Sequence, residues 1–359
     1  MSAANARPDL VAATAIDRWL TAGATVIDAR SEGEYAEDFL PGAINHPVLN
    51  NEERARVGTV NKVESPFAAK RVGAPLVVRN VADMIEKHFA DKPKDWAPLV
   101  YCWRGGKRSG TLTYLLREIG FDARQLAGGY KAFRGRVNDE LPALAARYRY
   151  FTICGCTGTG KTALLAALAS VGAQVIDLEG LANHRGSLLG ARDTPQPSQK
   201  RFDTLLWNAL RTLDPTRPVF VESESKKIGL VQMPDAMRSK MGAGECVWLD
   251  VPLTARVAHI ASEYAHFVAD PQALMEKLQP LRELRGAKQL LAWQQLADQR
   301  ETDALFASLM VDHYDPLYTT AIRRNYPQLG AAPRVALASL NATSLSAAAS
   351  GLRQQFDPA

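Results

Sequence analysis

The chain has 359 residues, 47% of them hydrophobic, and this length and composition predict two domains with sizeable cores. No run approaches the roughly eighteen apolar residues of a membrane-spanning helix, and residues 1–10 lack the pattern of a secretory signal. Four cysteines in so long a chain exclude a disulfide framework, so we expect a reduced, cytoplasmic protein. The formal net charge of +5 is spread evenly, so nucleic-acid binding would need a folded basic patch.

Short β-like runs alternate with helical patterns, which predicts an α/β fold with mostly parallel sheets. In the first part, strands are expected at 25–28 and 98–101, and apolar spacing predicts a helix over 109–119. A second helix is expected over 81–89. The Ala- and Arg-rich stretch 141–149 is the expected linker. The domains that result are 1–140 and 150–359.

The second domain opens with a strand, a glycine-rich loop and a helix over residues 150–170. Beyond Asp250 the pattern is helical, so we expect a helical C-terminal region that ends in a loosely packed Ala/Ser-rich helix. Further strands are expected at 173–177, 218–222 and 246–250.

A cysteine loop follows the strand at 98–101, with the sequence Cys102-Trp103-Arg104-Gly105-Gly106-Lys107-Arg108-Ser109. A thiolate needs neighbouring donors at neutral pH, and this loop supplies three cations, two glycines and the start of a helix. Converging backbone amides and cations would stabilise the thiolate and bind an incoming anion. These features favour a reactive thiol over a buried structural cysteine.

A second loop, Gly155-Cys156-Thr157-Gly158-Thr159-Gly160-Lys161-Thr162, is a full Walker A pattern between a strand and a helix. Its glycines allow amides to face phosphates, Lys161 neutralises charge, and Thr162 can reach a metal ion. The loop predicts a diphosphate site in a P-loop NTPase-like domain. It does not specify the group attached to the diphosphate.

Two strand-terminal acids are candidates for the remaining phosphate machinery. Asp250 ends a strand that resembles Walker B and could hold Mg²⁺ together with Thr162, and Glu222 is the rival carboxylate. A basic stretch around His184 and Arg185 is expected to pass the phosphate site and to clamp pyrophosphate or tRNA phosphate. Its other members are Gly186, Ser187, Arg192, Lys200 and Arg201.

Residues 15–137 resemble a rhodanese domain. The motifs that carry the resemblance are Asp28-Ala29-Arg30, Glu34-Tyr35, Pro41-Gly42-Ala43-Ile44-Asn45, the Cys102 loop and Leu126-Ala127-Gly128-Gly129-Tyr130. In that family the loop cysteine carries sulfur or selenium. Two departures are Phe39, where many members have His, and the longer loop spacing Cys102-x5-Arg108, which rhodanese-related phosphatases share.

A rhodanese-like domain fused to a P-loop domain is similar to the tRNA 2-selenouridine synthase family across nearly the whole chain. Besides the two loops, the carrying residues are His184-Arg185-Gly186-Ser187 and Val221-Glu222-Ser223-Glu224-Ser225-Lys226-Lys227-Ile228-Gly229. The resemblance implies a transferase that replaces sulfur by selenium in wobble 2-thiouridine. Geranyl diphosphate alkylates the sulfur, and selenium from selenophosphate then displaces the geranylthio group.

The resemblance also assigns roles to the two loops. Cys102 would hold selenium or receive it from selenophosphate, residues 103–109 would bind the phosphate, and residues 155–162 would bind the diphosphate of the prenyl donor. No tightly bound cofactor is implied. The partners would be a tRNA anticodon loop and the enzyme that supplies selenophosphate, and the candidate tRNA contacts are Lys277, Arg282, Arg285 and Lys288.

Two other functions fit parts of the pattern. The Cys102-x5-Arg108 spacing fits a rhodanese-like phosphatase coupled to an ATP-binding module. A nucleotide sensor with a non-catalytic docking domain fits the Walker A pattern, although the intact cysteine loop argues against it.

Overall fold

Two five-stranded parallel sheets organise the chain in the computed structural model, which describes residues 9–21 and 23–357. The absence of a secretory signal was inferred from residues 1–10. Of these, residues 1–8 lie outside the described residues. The expected α/β fold with parallel sheets is confirmed. No helix in the described residues has the length and apolar character to cross a membrane.

The first sheet has the strand order β1-β5-β4-β2-β3, and all of its pairs are parallel. Every residue of β2 and β4 is buried, since helices cover a parallel sheet on both faces. The strands are β1 (Leu10–Val11), β2 (Val26–Asp28), β3 (Ala43–Asn45), β4 (Leu99–Tyr101) and β5 (Arg124–Leu126).

Six helices accompany this sheet. The helix expected over 109–119 begins two residues earlier, and it ends at Gly120 in the left-handed conformation (φ 113°). The helices are α1 (Asp17–Thr21), α2 (Glu32–Glu37), α3 (Asn51–Val63), α4 (Pro66–Met84), α5 (Lys107–Ile119) and α6 (Gly129–Arg147), with a 3₁₀ turn at Ala13–Ala15 and a π turn at Ile85–Phe89.

Of the α3–α4 helical hairpin between β3 and β4, only the end was expected from the sequence, as the helix over 81–89 that covers the last residues of α4 and the π turn. Asn50 starts α3 with a capping box, in which its side chain accepts from the amide of Glu53 at 2.9 Å. Ser65 caps α4, and Pro66 occupies its first turn. None of the α3 residues is buried, so apolar periodicity could not reveal this helix.

The second sheet has the order β12-β11-β6-β8-β7 and is also parallel throughout. Its β6 lies between β8 and β11, so the loop after β6 leaves the middle of the sheet. The strands are β6 (Tyr150–Cys154), β7 (Gln174–Ile176), β8 (Val219–Glu222), β11 (Glu245–Asp250) and β12 (Arg334–Ala336); β9 (Lys227–Ile228) and β10 (Val231–Gln232) form a separate antiparallel pair.

The expected helical C-terminal region is confirmed, and it has its own core around the fully buried Trp293. The helices after α6 are α7 (Lys161–Ser170), α8 (Leu178–Ala182), α9 (Gln199–Arg211), α10 (Asp235–Ala243), α11 (Leu253–Glu263), α12 (Ala265–Ala269), α13 (Pro271–Leu278), α14 (Arg282–Arg285), α15 (Ala287–Asp298), α16 (Thr302–Leu309), α17 (Asp315–Asn325) and α18 (Ala342–Phe356). Short 3₁₀ or π segments lie at Gln279–Leu281, Met310–Tyr314 and Pro327–Ala331.

The last helix, α18, was expected to pack loosely, and that expectation is wrong. Leu345, Ala349 and Leu352 are buried in the core of the second sheet. They recur at helical spacing, so one face of an Ala-rich helix supplies the contact.

The chain divides into two compact units, Met1–Leu141 with Pro197–Asn208 and Pro142–Gln196 with Ala209–Ala359. Residues 197–208 belong to the first unit because Arg134 pairs with Asp203, and Trp207 donates to Glu140 at 2.8 Å. The expected division into 1–140 and 150–359 did not assign residues 197–208 to the first unit. Residues 141–149, expected to be a linker, are helical as far as Arg147.

Candidate active site

The Cys102 loop connects β4 to α5 in the first unit, and the start of α6 holds its backbone. The amides of Tyr130 and Lys131 donate to the carbonyls of Cys102 and Trp103 at 2.8 and 2.9 Å. A Cβ on Gly129 would lie 2.1 Å from the Cys102 carbonyl oxygen, so only glycine permits this approach. The turn after β5, which contains Gly129, therefore determines the backbone path of the Cys102 loop.

The Cys102 side chain is 3% exposed, and polar groups reach its sulfur. Ser109 Oγ donates to Cys102 Sγ at 3.0 Å. Gln125 of β5 donates in turn to Ser109 Oγ at 2.9 Å and to the carbonyl of Gly105 at 2.8 Å. A hydroxyl that donates to a sulfur atom stabilises negative charge on it.

The three cations of the loop differ in their surroundings. Arg108 binds Glu34 through two hydrogen bonds of 2.6 and 3.2 Å. Burial opposes ionisation of Glu34, but the hydrogen bond and charge of Arg108 outweigh it and lower the pKa of Glu34. Arg104 and Lys107 are exposed, and no side chain caps the first turn of α5. An incoming anion can therefore meet Lys107 and the free amides of that turn.

A buried ion pair supports the strand beneath the loop. Arg30 Nη2 lies 2.6 Å from Asp28 Oδ2, and Tyr101 donates to the same oxygen at 2.6 Å. The guanidinium also donates to the Asp38 carbonyl and lies 4.0 Å from the ring centre of Tyr130. The Asp28-Ala29-Arg30 motif is thus a structural element that fixes the residues around the loop.

Phe39, which departs from the rhodanese pattern, contributes packing. Its ring stacks on Tyr35 at 4.1 Å between centroids, and the Arg201 guanidinium lies 3.6 Å from its ring centre.

The phosphate loop connects β6 to α7 in the second unit. Gly158 and Gly160 have positive φ angles of 79° and 73°, which a Walker A loop needs to turn its amides inward. Lys161 Nζ donates to the Gly155 carbonyl at 3.2 Å and lies 4.7 Å from the ring centre of Tyr318. The lysine is held over the loop, where a diphosphate would bind.

Arg256 of α11 positions the phosphate loop and was not recognised in the sequence. It is 7% exposed, and its Nε donates to the Thr157 carbonyl at 2.8 Å. Asp315 holds the other guanidinium nitrogens at 2.9 and 2.6 Å. The signal in the sequence was weak, because nothing local distinguishes this arginine from other helical arginines.

Carboxyl groups lie beside Lys161 and Thr162. Thr162 Oγ1 donates to Glu179 at 3.3 Å, and Glu222 accepts from the Glu179 amide at 2.8 Å. Burial and then the charge of Glu179 raise the pKa of Glu224 to about 8. Burial likewise raises the pKa of Glu222 well above its usual range. The Glu224 carboxyl is therefore largely protonated at neutral pH.

Asp250 does not join this cluster. It is exposed at the end of β11, its carboxylate lies 3.7 Å from Arg334, and it does not line the cavity at the phosphate loop. The expected Mg²⁺ pair of Thr162 and Asp250 is therefore not formed. No set of three or more His, Cys, Asp or Glu side chains within residues 9–21 and 23–357 has metal-binding geometry.

A cavity of about 670 Å³ opens from the phosphate loop. One end is polar and holds Lys161, Thr162 and Glu179, with Arg185 and Arg192 nearby. The rest of the wall combines aromatic and aliphatic side chains with polar ones: Ile260, Tyr264, Tyr314, Leu317, Tyr318, Ala321, Ile322 and Tyr326 line it together with Ser187, Ser223, His259, Glu263, His313 and Asn325. The cavity suits a ligand with an anionic head and an apolar body.

The basic stretch after β7 divides between the two units. Arg185 reaches the cavity, where it pairs with Glu263 at 3.2 Å, whereas His184 accepts from the Gly186 amide at 3.0 Å and does not line the cavity. Lys200 and Arg201 belong to the first unit and bind Glu37 and the Phe39 carbonyl. The expectation that both line the phosphate site is wrong, because residues 197–208 return to the first unit.

The candidate tRNA contacts lie on the helical region. Lys277, Arg282 and Lys288 are exposed, as phosphate contacts must be. Arg285 is half-buried, and its Nε donates to His313 Nδ1 at 2.9 Å. Arg285 is thus tied to a residue of the cavity wall.

Two groups of functional residues escaped the sequence reasoning. Gln125 had a usable signal, since an amide in a buried parallel strand needs polar partners. The tyrosines of the cavity wall had none, because their spacing in helices resembles ordinary core packing.

Residues 148–285 match the family described as tRNA 2-selenouridine synthase AAA domain, and residues 12–136 match the rhodanese-like domain. The chain is 34% identical over 282 residues to the tRNA 2-selenouridine synthase of Nitrosomonas europaea, covering 75% of this chain and 71% of that protein. It is 34% identical over 367 residues to that of Cronobacter sakazakii, covering 91% and 93%. A solved rhodanese-related protein of Thermoplasma volcanium is 16% identical, with a TM-score of 0.23, over 35% of this chain and 90% of that chain.

Proposed function

The chain belongs to the tRNA 2-selenouridine synthase family, and from that membership we propose that it replaces the sulfur of wobble 2-thiouridine in tRNA by selenium. The exchange takes two steps. Geranyl diphosphate first alkylates the thiocarbonyl sulfur. Selenophosphate then supplies the selenium that displaces the geranylthio group.

The observation that carries the first step is the two-ended cavity. Beyond the phosphate loop, Leu317, Ile322 and a set of tyrosine rings offer an apolar surface, beside polar groups that include His259 and Asn325. A prenyl chain gains free energy by leaving water for such a surface. The phosphate loop therefore serves here as a diphosphate site for a prenyl donor.

The geometry of the loop fits the departure of diphosphate. The sulfur of the base forms a bond to C1 of the geranyl group as the C1–O bond breaks, the electron pair leaves on the diphosphate, and the base releases its N3 proton to water. Lys161 and the loop amides face the charge that develops. Because Lys161 is already held by the Gly155 carbonyl and Tyr318, little reorganisation is needed.

The Cys102 loop performs the second step. Lys107 and the uncapped amides of α5 bind the phosphate of selenophosphate, and Cys102 handles the selenium with the help of Ser109. The tRNA anticodon loop presents the base to each site turned out of its stack. The enzyme that supplies selenophosphate is a further partner, and the cytoplasm, where tRNA and reduced cysteines occur together, is the location we assign.

Mass analysis of tRNA nucleosides after incubation with geranyl diphosphate, with and without selenophosphate, tests the proposal. We expect Lys161→Ala to stop geranylation, and Cys102→Ala to permit geranylation but block selenation. The reverse pattern would overturn the assignment of the steps. ATP hydrolysis in step with selenation, with no response to geranyl diphosphate, would overturn the role of the phosphate loop.

A further inference from the structure

A second apolar groove lies in the first unit, beside the Cys102 loop. It has a volume of about 520 Å³ and runs between the α3–α4 hairpin and the first turns of α5. Its apolar lining comprises Leu49, Val57, Gly58, Pro66, Ala69, Gly73, Ala74, Val77 and Val78. Its size falls in the range of small-molecule sites, which is roughly 300–1,000 Å³.

The groove exposes apolar surface that folding alone does not require. Leu49, Ala69 and Gly73 are buried at its floor, whereas Val78 on its wall is 55% exposed. Small residues keep it open; a Cβ on Gly73 would already lie 3.3 Å from Val57. A surface of this kind indicates a bound apolar group.

The rim of the groove is cationic. It carries Arg54, Lys70, Lys107 and Arg108. Arg54 and Arg108 share Glu34, at 3.7 and 2.6 Å. Within the described part of the chain, Lys70 and Lys107 have no ion-pair partner, and both are exposed. The charge is therefore complementary to an anionic molecule whose apolar part enters the groove.

The groove adjoins the Cys102 loop, because Lys107 and Arg108 of that loop also line the groove. Arg108 lines the groove, and the next residue, Ser109, donates to Cys102 Sγ at 3.0 Å. Lys107 belongs both to the rim and to the anion-binding turn. A group in the groove therefore lies next to the last residues of the Cys102 loop.

We propose that this groove binds the geranyl chain of the S-geranyl nucleoside during the second step, with a tRNA phosphate on Lys70. The inference rests on the proposed function. The selenium of selenophosphate, held beside Cys102, forms a bond to C2 of the base as the C–S bond breaks, and the electron pair leaves on the geranylthiolate, which takes a proton. Water then cleaves the Se–P bond and releases phosphate. Holding the chain aligns C2 with the loop.

The test compares two alanines of α4. Ala74 is exposed on the groove wall, and Ala82 is exposed on the same helix but does not line the groove. Purified full-length protein is given selenophosphate and an anticodon stem-loop RNA bearing S-geranyl- or S-methyl-2-thiouridine. Ala74→Trp should lower kcat/KM for the S-geranyl RNA at least about tenfold and leave the S-methyl RNA unchanged. Ala82→Trp should change neither.

Val78→Asn, which makes the wall polar at an exposed position, provides a second variant and should show the same selective loss. Equal activity of parent, Ala74→Trp and Val78→Asn on the S-geranyl RNA overturns the inference. The groove would then be a candidate binding surface for a protein partner. Equal losses on both RNAs also overturn it, since the effect is then not on the chain. If the parent protein fails to convert the S-geranyl RNA, the proposed function itself fails.

Discussion

Ser109 Oγ donates a hydrogen bond to Cys102 Sγ across 3.0 Å, seven residues along the same loop. The hydroxyl is fixed by Gln125, which reaches it from the neighbouring strand at 2.9 Å. The sulfur is therefore held beside an oriented donor in a site that is almost closed to water.

Removing the Ser109 hydroxyl should slow the reaction of Cys102 with electrophiles. A hydrogen bond to a charged group contributes roughly 1.5–3 kcal/mol, so Ser109→Ala should slow alkylation of Cys102 by iodoacetamide about tenfold or more. Peptide mass spectrometry follows the modification of this cysteine. Ser170→Ala, which removes an exposed hydroxyl, is the matched control. An unchanged rate would show that Ser109 has only a packing role.

Arg256 should govern the affinity of the phosphate loop for diphosphate. Arg256→Lys cannot hold the Thr157 carbonyl and Asp315 together, because lysine lacks the planar fork. We expect pyrophosphate to bind about tenfold more weakly by isothermal titration calorimetry. Arg238→Lys, on an exposed arginine of α10, should bind normally. Equal affinities for both variants would remove Arg256 from the site.

Pyrophosphate binding should weaken as the pH rises through about 8. Burial and the charge of Glu179 raise the pKa of Glu224 to about 8, so Glu224 gains its charge in this range and repels the anion. The folded state binds the extra proton, so this group also costs stability as the pH rises from the ordinary carboxyl range through the raised pKa. Glu224→Gln should flatten both profiles, in calorimetry and thermal unfolding. A Glu224→Gln profile parallel to that of the parent would place the titration elsewhere.

The buried pair of Asp28 and Arg30 should be costly to break. Asp28→Asn leaves the Arg30 guanidinium without its charge partner, and such changes cost about 3–5 kcal/mol of unfolding free energy. Urea denaturation measures this loss. Lys87→Gln breaks an exposed pair with Asp83 and should change the free energy by less than about 1 kcal/mol. A loss that small for Asp28→Asn would contradict the supporting role of the pair.

The exposed cations of the helical region should contribute to tRNA binding through phosphates. Replacing Lys277, Arg282 and Lys288 by Gln should weaken binding and reduce the slope of log K against log salt by about two. Fluorescence anisotropy at several salt concentrations gives this slope. Replacing Lys62, Lys87 and Lys94, exposed in the first unit and away from either loop in sequence, is the control. An unchanged slope would exclude the three positions.

Local patterns were sufficient to predict the two loops and the strands before them. The Cys102 loop and the phosphate loop each follow a buried strand and lead into a helix, and this order needs no distant contact to be recognised. Short-range spacing also predicted the α/β class, because strand and helix periods differ clearly. Helix α3 was missed because it buries no residue, and only the end of α4 was predicted.

The sequence by itself determined which chemical groups are present: a cysteine among cations, a phosphate loop and a helical region rich in exposed charge. Only the tertiary structure decided how they are used. It showed that Gln125 and Glu34 bind residues of the Cys102 loop. It also showed that Lys200 and Arg201 belong to the first unit and that Asp250 does not line the cavity. These outcomes depend on contacts between residues far apart in the chain, and the energies of such contacts are set by packing and burial, which local composition does not encode.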